Sequence, residues 1–194
     1  MANVLLGVTG SVAAVRTPPL YEALKRAGQR VKVVATDAAL YFFDPAALTP
    51  GREGRDPDVV TLDEDEWPGQ ADGRRWQRGE EVLHIELRRW ADLLLIAPLD
   101  ANTLAKLALG LCDNCLTCVW RAWEPSRPAV LAPAMNTLMW QHPATARHLR
   151  QLAEDAGPAL RVVPPASKKL ACDDVGVGAM AALDDILTML RKCC

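Results

Sequence analysis

Short apolar runs alternate along this chain with stretches of helical spacing. Val4-Leu5-Leu6-Gly7-Val8 is a run that ends at Thr9-Gly10-Ser11. Leu20, Leu24 and Ala27 then recur at helical spacing from about Pro18-Pro19, and Gly28 stops them. Val31-Lys32-Val33-Val34-Ala35 follows and breaks at Thr36-Asp37. Strand, helix and strand in that order predict a βαβ unit. The rhythm returns at His84. The pattern predicts a strand over Asp92 to Pro98, helices near 102–110 and 114–123, and a strand over Pro128 to Pro133. A helix over 143–156, a last strand over Leu160 to Val163 and a terminal helix over 181–191 complete it. Continuous apolar strands between helices predict a parallel sheet covered on both faces. No internal repeat or linker divides residues 1–194, which read as a single domain.

Residues 44–80 break the rhythm. Pro45, Pro50, Pro57 and Pro68, several glycines and the acidic run Asp63-Glu64-Asp65-Glu66 predict a surface excursion with a short strand near Val59–Leu62. A solvated variable loop is the favoured reading there, ahead of a substrate-covering or partner-facing segment.

Composition narrows the class. Half of the 194 residues are apolar and 24% are charged, a folded globular balance. Lys plus Arg is 22 against 24 Asp plus Glu, a net charge of −2, so no general basic field exists to hold nucleic acid. No apolar run reaches the ~18 residues of a membrane span. The first residues carry no basic stretch and read as a strand, not a signal peptide. Six cysteines are too sparse for a secreted disulfide scaffold, and a cytoplasmic setting with reduced thiols is expected.

In an open parallel sheet, ligands gather beyond the carboxyl ends of the strands. Four such ends are legible: Thr9-Gly10-Ser11, Thr36-Asp37-Ala38, Pro98 to Thr103, and Pro133 to Asn136. Gly7-Val8-Thr9-Gly10-Ser11 offers backbone N–H groups and a hydroxyl at the start of a helix, which suits a phosphate; a tight structural turn would look the same. It is neither a Walker loop nor G-x-G-x-x-G, and no acidic residue closes the second strand to hold an NAD ribose. Asp100 or Asn102 reads first as a helix N-cap.

The three histidines have no ligand-like spacing with a carboxylate, which argues against a zinc hydrolase. His142 and His148 fall on a polar, surface helix. Cys112-x-x-Cys115-x-x-Cys118 lies in a helical segment with no nearby fourth ligand, so buried small hydrophobes are expected in place of a cluster. Cys172 differs. It sits in a Gly-rich stretch, residues 166–180, that reads as a mobile lid loop. Lys168 and Lys169 would lower the thiol pKa there, and Asp173-Asp174 oppose them.

Four strings together carry a resemblance. His84-Ile85-Glu86-Leu87-Arg88-Arg89-Trp90-Ala91-Asp92, Ala97-Pro98-Leu99-Asp100-Ala101-Asn102-Thr103, Pro133-Ala134-Met135-Asn136-Thr137-Leu138-Met139-Trp140 and the Cys172 loop resemble the flavin-containing cysteine decarboxylases, in the family's order and over nearly the whole chain. The resemblance implies a flavodoxin-like three-layer sandwich with a parallel sheet, a homotrimer, and FMN at the contact between subunits. It implies flavin contacts at Gly10, Ser11, Val12 and Ala13 on the phosphate side and at Thr36, Asp37 and Ala38 in a second turn. Phe42 would lie beside the ring; Pro98, Asp100, Ala101, Asn102 and Thr103 would form a flavin motif, and Ala134 a backbone contact. His84 becomes the active-site base, Asn136 the holder of the substrate carboxylate, and Cys172 the proton donor. Arg89, Met139, Lys169 and Ala171 join the substrate pocket. No metal is implied.

The implied reaction is oxidative decarboxylation of 4′-phosphopantothenoylcysteine followed by reduction to 4′-phosphopantetheine, a step of coenzyme A biosynthesis. The residue types suit it. A cysteinyl carboxylate loses CO₂ poorly because the carbanion left behind has no electron sink, and hydride chemistry belongs to the cofactor. Two departures from the family pattern stand out. Asp173 follows Cys172 where relatives usually have Gly, and Arg16 stands where a Lys is common. Relatives acting on a peptide C-terminal cysteine or a prenyl donor lack the Asn136 string combined with the Cys172 loop. A Hal3-like regulatory subunit that binds a protein phosphatase is the alternative; such proteins usually carry long acidic extensions, and some lose the His or the Cys.

Overall fold

Six strands form one parallel sheet in the computed structural model, which describes residues 1–169 and 175–193. They are β1 (Asn3–Val8), β2 (Arg30–Ala35), β3 (Val60–Leu62), β4 (Leu93–Leu99), β5 (Ala129–Pro133) and β6 (Leu160–Val162), in the order β3-β2-β1-β4-β5-β6. Val8 lies beside Ala35, Gly7 beside Ile96, and Leu131 beside Val162. Without the short edge strand β3 and renumbered, the order becomes 2-1-3-4-5, that of flavodoxin-like folds. The expected three-layer sandwich is therefore present, with one added strand drawn from the 44–80 excursion.

Alternation along the strands explains the layers. Val4, Leu6 and Val8 face one way and Leu5 the other; Leu95 and Ala97 oppose Leu94 and Ile96. Every one of these side chains is buried, so both faces of the sheet are covered. One layer holds α1 (Thr17–Arg26) through Leu20 and Leu24, and α7 (Leu183–Arg191) through Ile186 and Leu190. The other holds α2 (Leu83–Trp90), α3 (Ala101–Leu109), α4 (Cys115–Arg121) and α6 (Pro143–Ala156), through Leu87, Leu104, Leu116 and Leu152. A short α5 (Thr137–Gln141) precedes α6. Among the described residues no helix is long and apolar enough to cross a membrane.

Local chemistry sets the ends. Asp100 caps α3, its carboxylate accepting from the Thr103 N–H at 2.7 Å, and Gly110 closes that helix with φ 72°. Asn114 caps α4 in the same way. Before α1, residues Val12–Arg16 form a 3₁₀ turn, so regular helix waits for the prolines in its first turn.

Two expectations need correction. The stretch read as a lid loop, 166–180, is in its described part a two-stranded antiparallel ribbon of β7 (Ala166–Lys169) and β8 (Val175–Ala179). Gly176 and Gly178 masked the strand pattern, because glycine carries no strand preference. In the 44–80 segment the short strand expected near Val59–Leu62 is present as β3, while the solvated-loop reading fails from β3 to Glu66. Val60, Thr61 and Leu62 are buried at the sheet edge, and the acidic turn after them sends one carboxylate into the interior.

Candidate active site

The strand order reverses between β1 and β4, and a cavity of about 610 Å³ opens beyond their carboxyl ends. That volume falls within the range of small-molecule sites. Thr9 ties the two loops that frame it. Its buried hydroxyl donates to the Pro98 carbonyl at 2.9 Å and accepts from the Asp100 N–H at 2.7 Å. Gly10 lies against the turn after β2: a Cβ there would stand 2.6 Å from the Ala38 Cβ. Ser11 caps the 3₁₀ turn, its Oγ accepting from the Ala13 N–H at 3.3 Å.

Gly10, Ser11, Val12 and Ala13 line the cavity on one side, with Phe42. Asp100, Ala101, Ala134, Asn136 and Met139 line it from the segments that follow β4 and β5. Those ten of the sequence-derived site residues are brought together. Pro98, Thr36 and Thr103 are buried behind the cavity wall, whereas Asp37, Ala38 and Asn102 are exposed outside it. The Asn136 side-chain oxygen accepts from the Leu138 N–H at 2.8 Å, which orients the amide and fixes its donor end.

Two groups complete the picture. Arg16 lines the cavity, its guanidinium donating to the Ala181 carbonyl at 3.4 Å. Thr36 is buried, yet its hydroxyl has no hydrogen-bond partner within the protein. Apolar walls from Phe42, Met135 and Met180, backbone N–H groups at a turn start and one cation suit a planar aromatic ring carrying a phosphate.

The remaining expected residues lie elsewhere. His84 sits in the first turn of α2 and does not line the cavity of its own chain. Its Nδ1 is hydrogen-bonded to Glu66 Oε1, and its backbone N–H donates to Glu66 Oε2 at 3.1 Å. Arg89, further along α2, is exposed and pairs with Glu86 at 2.6 Å. The backbone of Lys169 pairs with Val175 in the ribbon. Ala171 and Cys172 lie outside the described residues.

The sequence matches the Flavoprotein family over residues 1–194. The chain belongs to that family. A mouse (Mus musculus) phosphopantothenoylcysteine decarboxylase is 46% identical over 191 residues, covering 97% of this chain and 85% of the mouse protein. Among solved structures, a cysteine-to-serine variant of PPC decarboxylase complexed with pantothenoylaminoethenethiol aligns with TM-score 0.85 and 46% identity, over 98% of this chain and 97% of that one. The FMN binding protein AtHal3 aligns with TM-score 0.80 and 47% identity, over 98% and 95% of the two chains.

Several cavity residues of this flavoprotein escaped the sequence reading. Val15 and Arg16 reach it from the far end of the 3₁₀ turn, and Gly178, Ala179 and Met180 from the end of β8. Arg16 had one usable signal, a cation one turn beyond a phosphate-type loop. Glu66 was hidden within the acidic run, where nothing local marks one carboxylate out of four. Among the described residues no group of His, Cys, Asp or Glu could hold a metal. The expectation of three buried thiols holds for two and fails at Cys112, which precedes α4 instead of lying on it. Cys115 and Cys118 are buried, and Cys112 is exposed ahead of the helix.

Proposed function

We propose that this flavoprotein catalyses the FMN-dependent decarboxylation of 4′-phosphopantothenoylcysteine to 4′-phosphopantetheine, in coenzyme A biosynthesis. The observation that carries the reading is the cavity at the switch point, framed by Ser11, Asp100 and Asn136, in a chain that aligns over nearly its whole length with a PPC decarboxylase holding pantothenoylaminoethenethiol. FMN, when bound, supplies the two-electron acceptor and donor that loss of CO₂ from a cysteinyl carboxylate requires.

The chain's own residues do the rest. The N–H groups that open the turn after Ser11, with Arg16 beside them, would hold the flavin phosphate. Phe42 and Met180 exclude water from the ring. The Asn136 amide holds the substrate carboxylate. His84 accepts the thiol proton, and Cys172 returns a proton that completes the saturated product.

His84 and Arg89 do not reach the cavity of their own chain, and the rim around it exposes Val12, Tyr41 and Leu138, at 49%, 87% and 75%. A homotrimer that sets α2 of one copy over the cavity of the next would supply the imidazole and cover that rim. The cytoplasm is the proposed compartment, where the free thiols remain reduced. Retention of His84, Asn136 and Cys172 favours an enzyme over a Hal3-like regulatory scaffold.

The test has three parts. Protein purified with FMN should be yellow and should release CO₂ from 4′-phosphopantothenoylcysteine; a colourless protein with no affinity for FMN overturns the reading. Cys172→Ser should still release CO₂ but accumulate the oxidised ene-thiol. His84→Asn and Asn136→Asp are each expected to be inactive, and mixed assemblies of the two should regain activity if the site is shared between copies.

A further inference from the structure

We infer that Glu66 is the residue that positions His84, by fixing its tautomer and holding its ring. The inference rests on the reading of His84 as the proton-accepting base. Glu66 is 4% exposed, and its side chain is fully buried. A carboxylate in that position is costly unless hydrogen bonds satisfy it. Both of its oxygens go to one residue: Oε2 accepts from the His84 backbone N–H at 3.1 Å, and Oε1 pairs with the His84 ring at Nδ1. One bond anchors the start of α2 and the other aims the imidazole.

The surroundings hold the carboxylate in place. β3 pairs with β2 through Val60 beside Val33 and Leu62 beside Ala35. The 3₁₀ turn Asp63–Glu66 that follows packs against α2 and α4. Asp65 accepts from the Leu62 N–H at 2.7 Å and from Arg55 at 2.6 Å, and Asp63 accepts from the Asp37 N–H at 3.0 Å. The turn is thus closed at its own start and tied to two separate segments, which leaves Glu66 directed inward. The buried Cys115 thiol lies beside it; burial first, and the Glu66 carboxylate second, keep that thiol protonated.

A carboxylate only accepts hydrogen bonds. The Nδ1 nitrogen must then carry the proton of the neutral ring, which leaves the lone pair on Nε2. When Nε2 takes the substrate thiol proton, an imidazolium forms whose Nδ1–H still rests against the carboxylate. The charge that develops is neutralised in place, and no proton moves to Glu66.

The chain has three histidines, so the ring nitrogens of His84 can be assigned in ¹⁵N-histidine-labelled holoprotein by comparison with His84→Gln. At a pH where the ring is neutral, the wild type should show a protonated Nδ1 and an unprotonated Nε2. A wild-type ring protonated on Nε2 overturns the inference, whatever the variants do. Glu66→Gln should increase the Nε2–H tautomer and lower kcat by about 100-fold, with KM within about threefold and FMN retained. Glu66→Asp, one methylene short, should fall between the two. Unchanged kcat and an unchanged tautomer in Glu66→Gln, with only a lower Tm, would make Glu66 a structural residue and overturn the inference. A correct tautomer in a protein with no decarboxylase activity would instead remove the proposed reaction and leave the Glu66–His84 relation standing.

Discussion

The carbonyl of Gly178 accepts from the Met135 N–H at 2.9 Å, and the two backbones meet so closely that a Cβ at 178 would stand 2.2 Å from the Met135 carbonyl oxygen. This contact presses the β7–β8 ribbon onto the turn that carries Asn136, and it makes both segments walls of one cavity. Gly178→Ala cannot be absorbed by a flexible side chain, because the obstacle is backbone. Displacement of the ribbon should cost about 1–3 kcal/mol of stability and weaken FMN retention. A thermal melt and the flavin absorbance of the purified variant check both effects; wild-type values in each would show that the ribbon does not build the site.

Much of the fold was legible because a parallel sheet buried on both faces writes its strands as unbroken apolar runs. Leu93 to Ile96 is such a run, and the strand is where the pattern puts it. α6 spans Pro143–Ala156, the limits that Pro143 and Gly157 mark in the sequence. The Asp100 cap followed from a short acceptor at the head of a helix. The ribbon was not legible, because Gly178 serves a close approach to Met135 that only the tertiary structure reveals. The separation of His84 from the Asn136 cavity was not legible either. Motif order along a chain says nothing of which face each motif occupies. Glu66 needed the docking of β3 on β2 before one acidic residue could be told from its neighbours.

Thr9 gives a test of loop framing that leaves the cavity walls intact. Its hydroxyl bridges the Pro98 carbonyl and the Asp100 N–H, from the end of one strand to the end of another. Thr9→Val keeps the shape and removes both bonds. The unpaired groups left in a buried place should cost about 1–3 kcal/mol. FMN should dissociate faster as well, because the Ser11 turn and the Asp100 cap are no longer held in register. Chemical denaturation and a flavin-fluorescence titration measure the two effects.

Asp63 supplies a pH dependence with a defined sign. Burial raises its carboxyl above the ordinary 3.8, and the hydrogen bond from the Asp37 N–H only partly opposes this. The folded state therefore holds the proton more tightly than the unfolded chain. The stability this group contributes is fully present below about pH 3.8 and is lost as pH rises through the folded value. Asp63→Asn keeps an oxygen for the Asp37 N–H and removes the titration. The variant should melt above the wild type at neutral pH, and the advantage should vanish on acidification to about pH 3.8. A melting series across that range decides it; an advantage independent of pH would mean that the charge of Asp63 is not what the fold resists.

The cysteine triplet yields a prediction about reactivity. Cys112 is exposed, whereas Cys115 and Cys118 are turned into the interior by α4. Burial, with Glu66 next in weight, pushes the Cys118 thiol up to about 11, and the same causes drive Cys115 further in the same direction. Since the thiolate is the nucleophile, at pH 8 Cys118 should hold roughly a hundredth of the thiolate of an ordinary thiol at 9.0. A brief exposure of the native protein to iodoacetamide, followed by peptide mass mapping, should find Cys112 alkylated while Cys115 and Cys118 are protected until denaturant is added. A chelator should leave the melting temperature unchanged, because among the described residues no cluster is built to hold a metal. Rapid native labelling of Cys115, or a chelator-induced loss of stability, would contradict the burial that places these thiols behind Glu66.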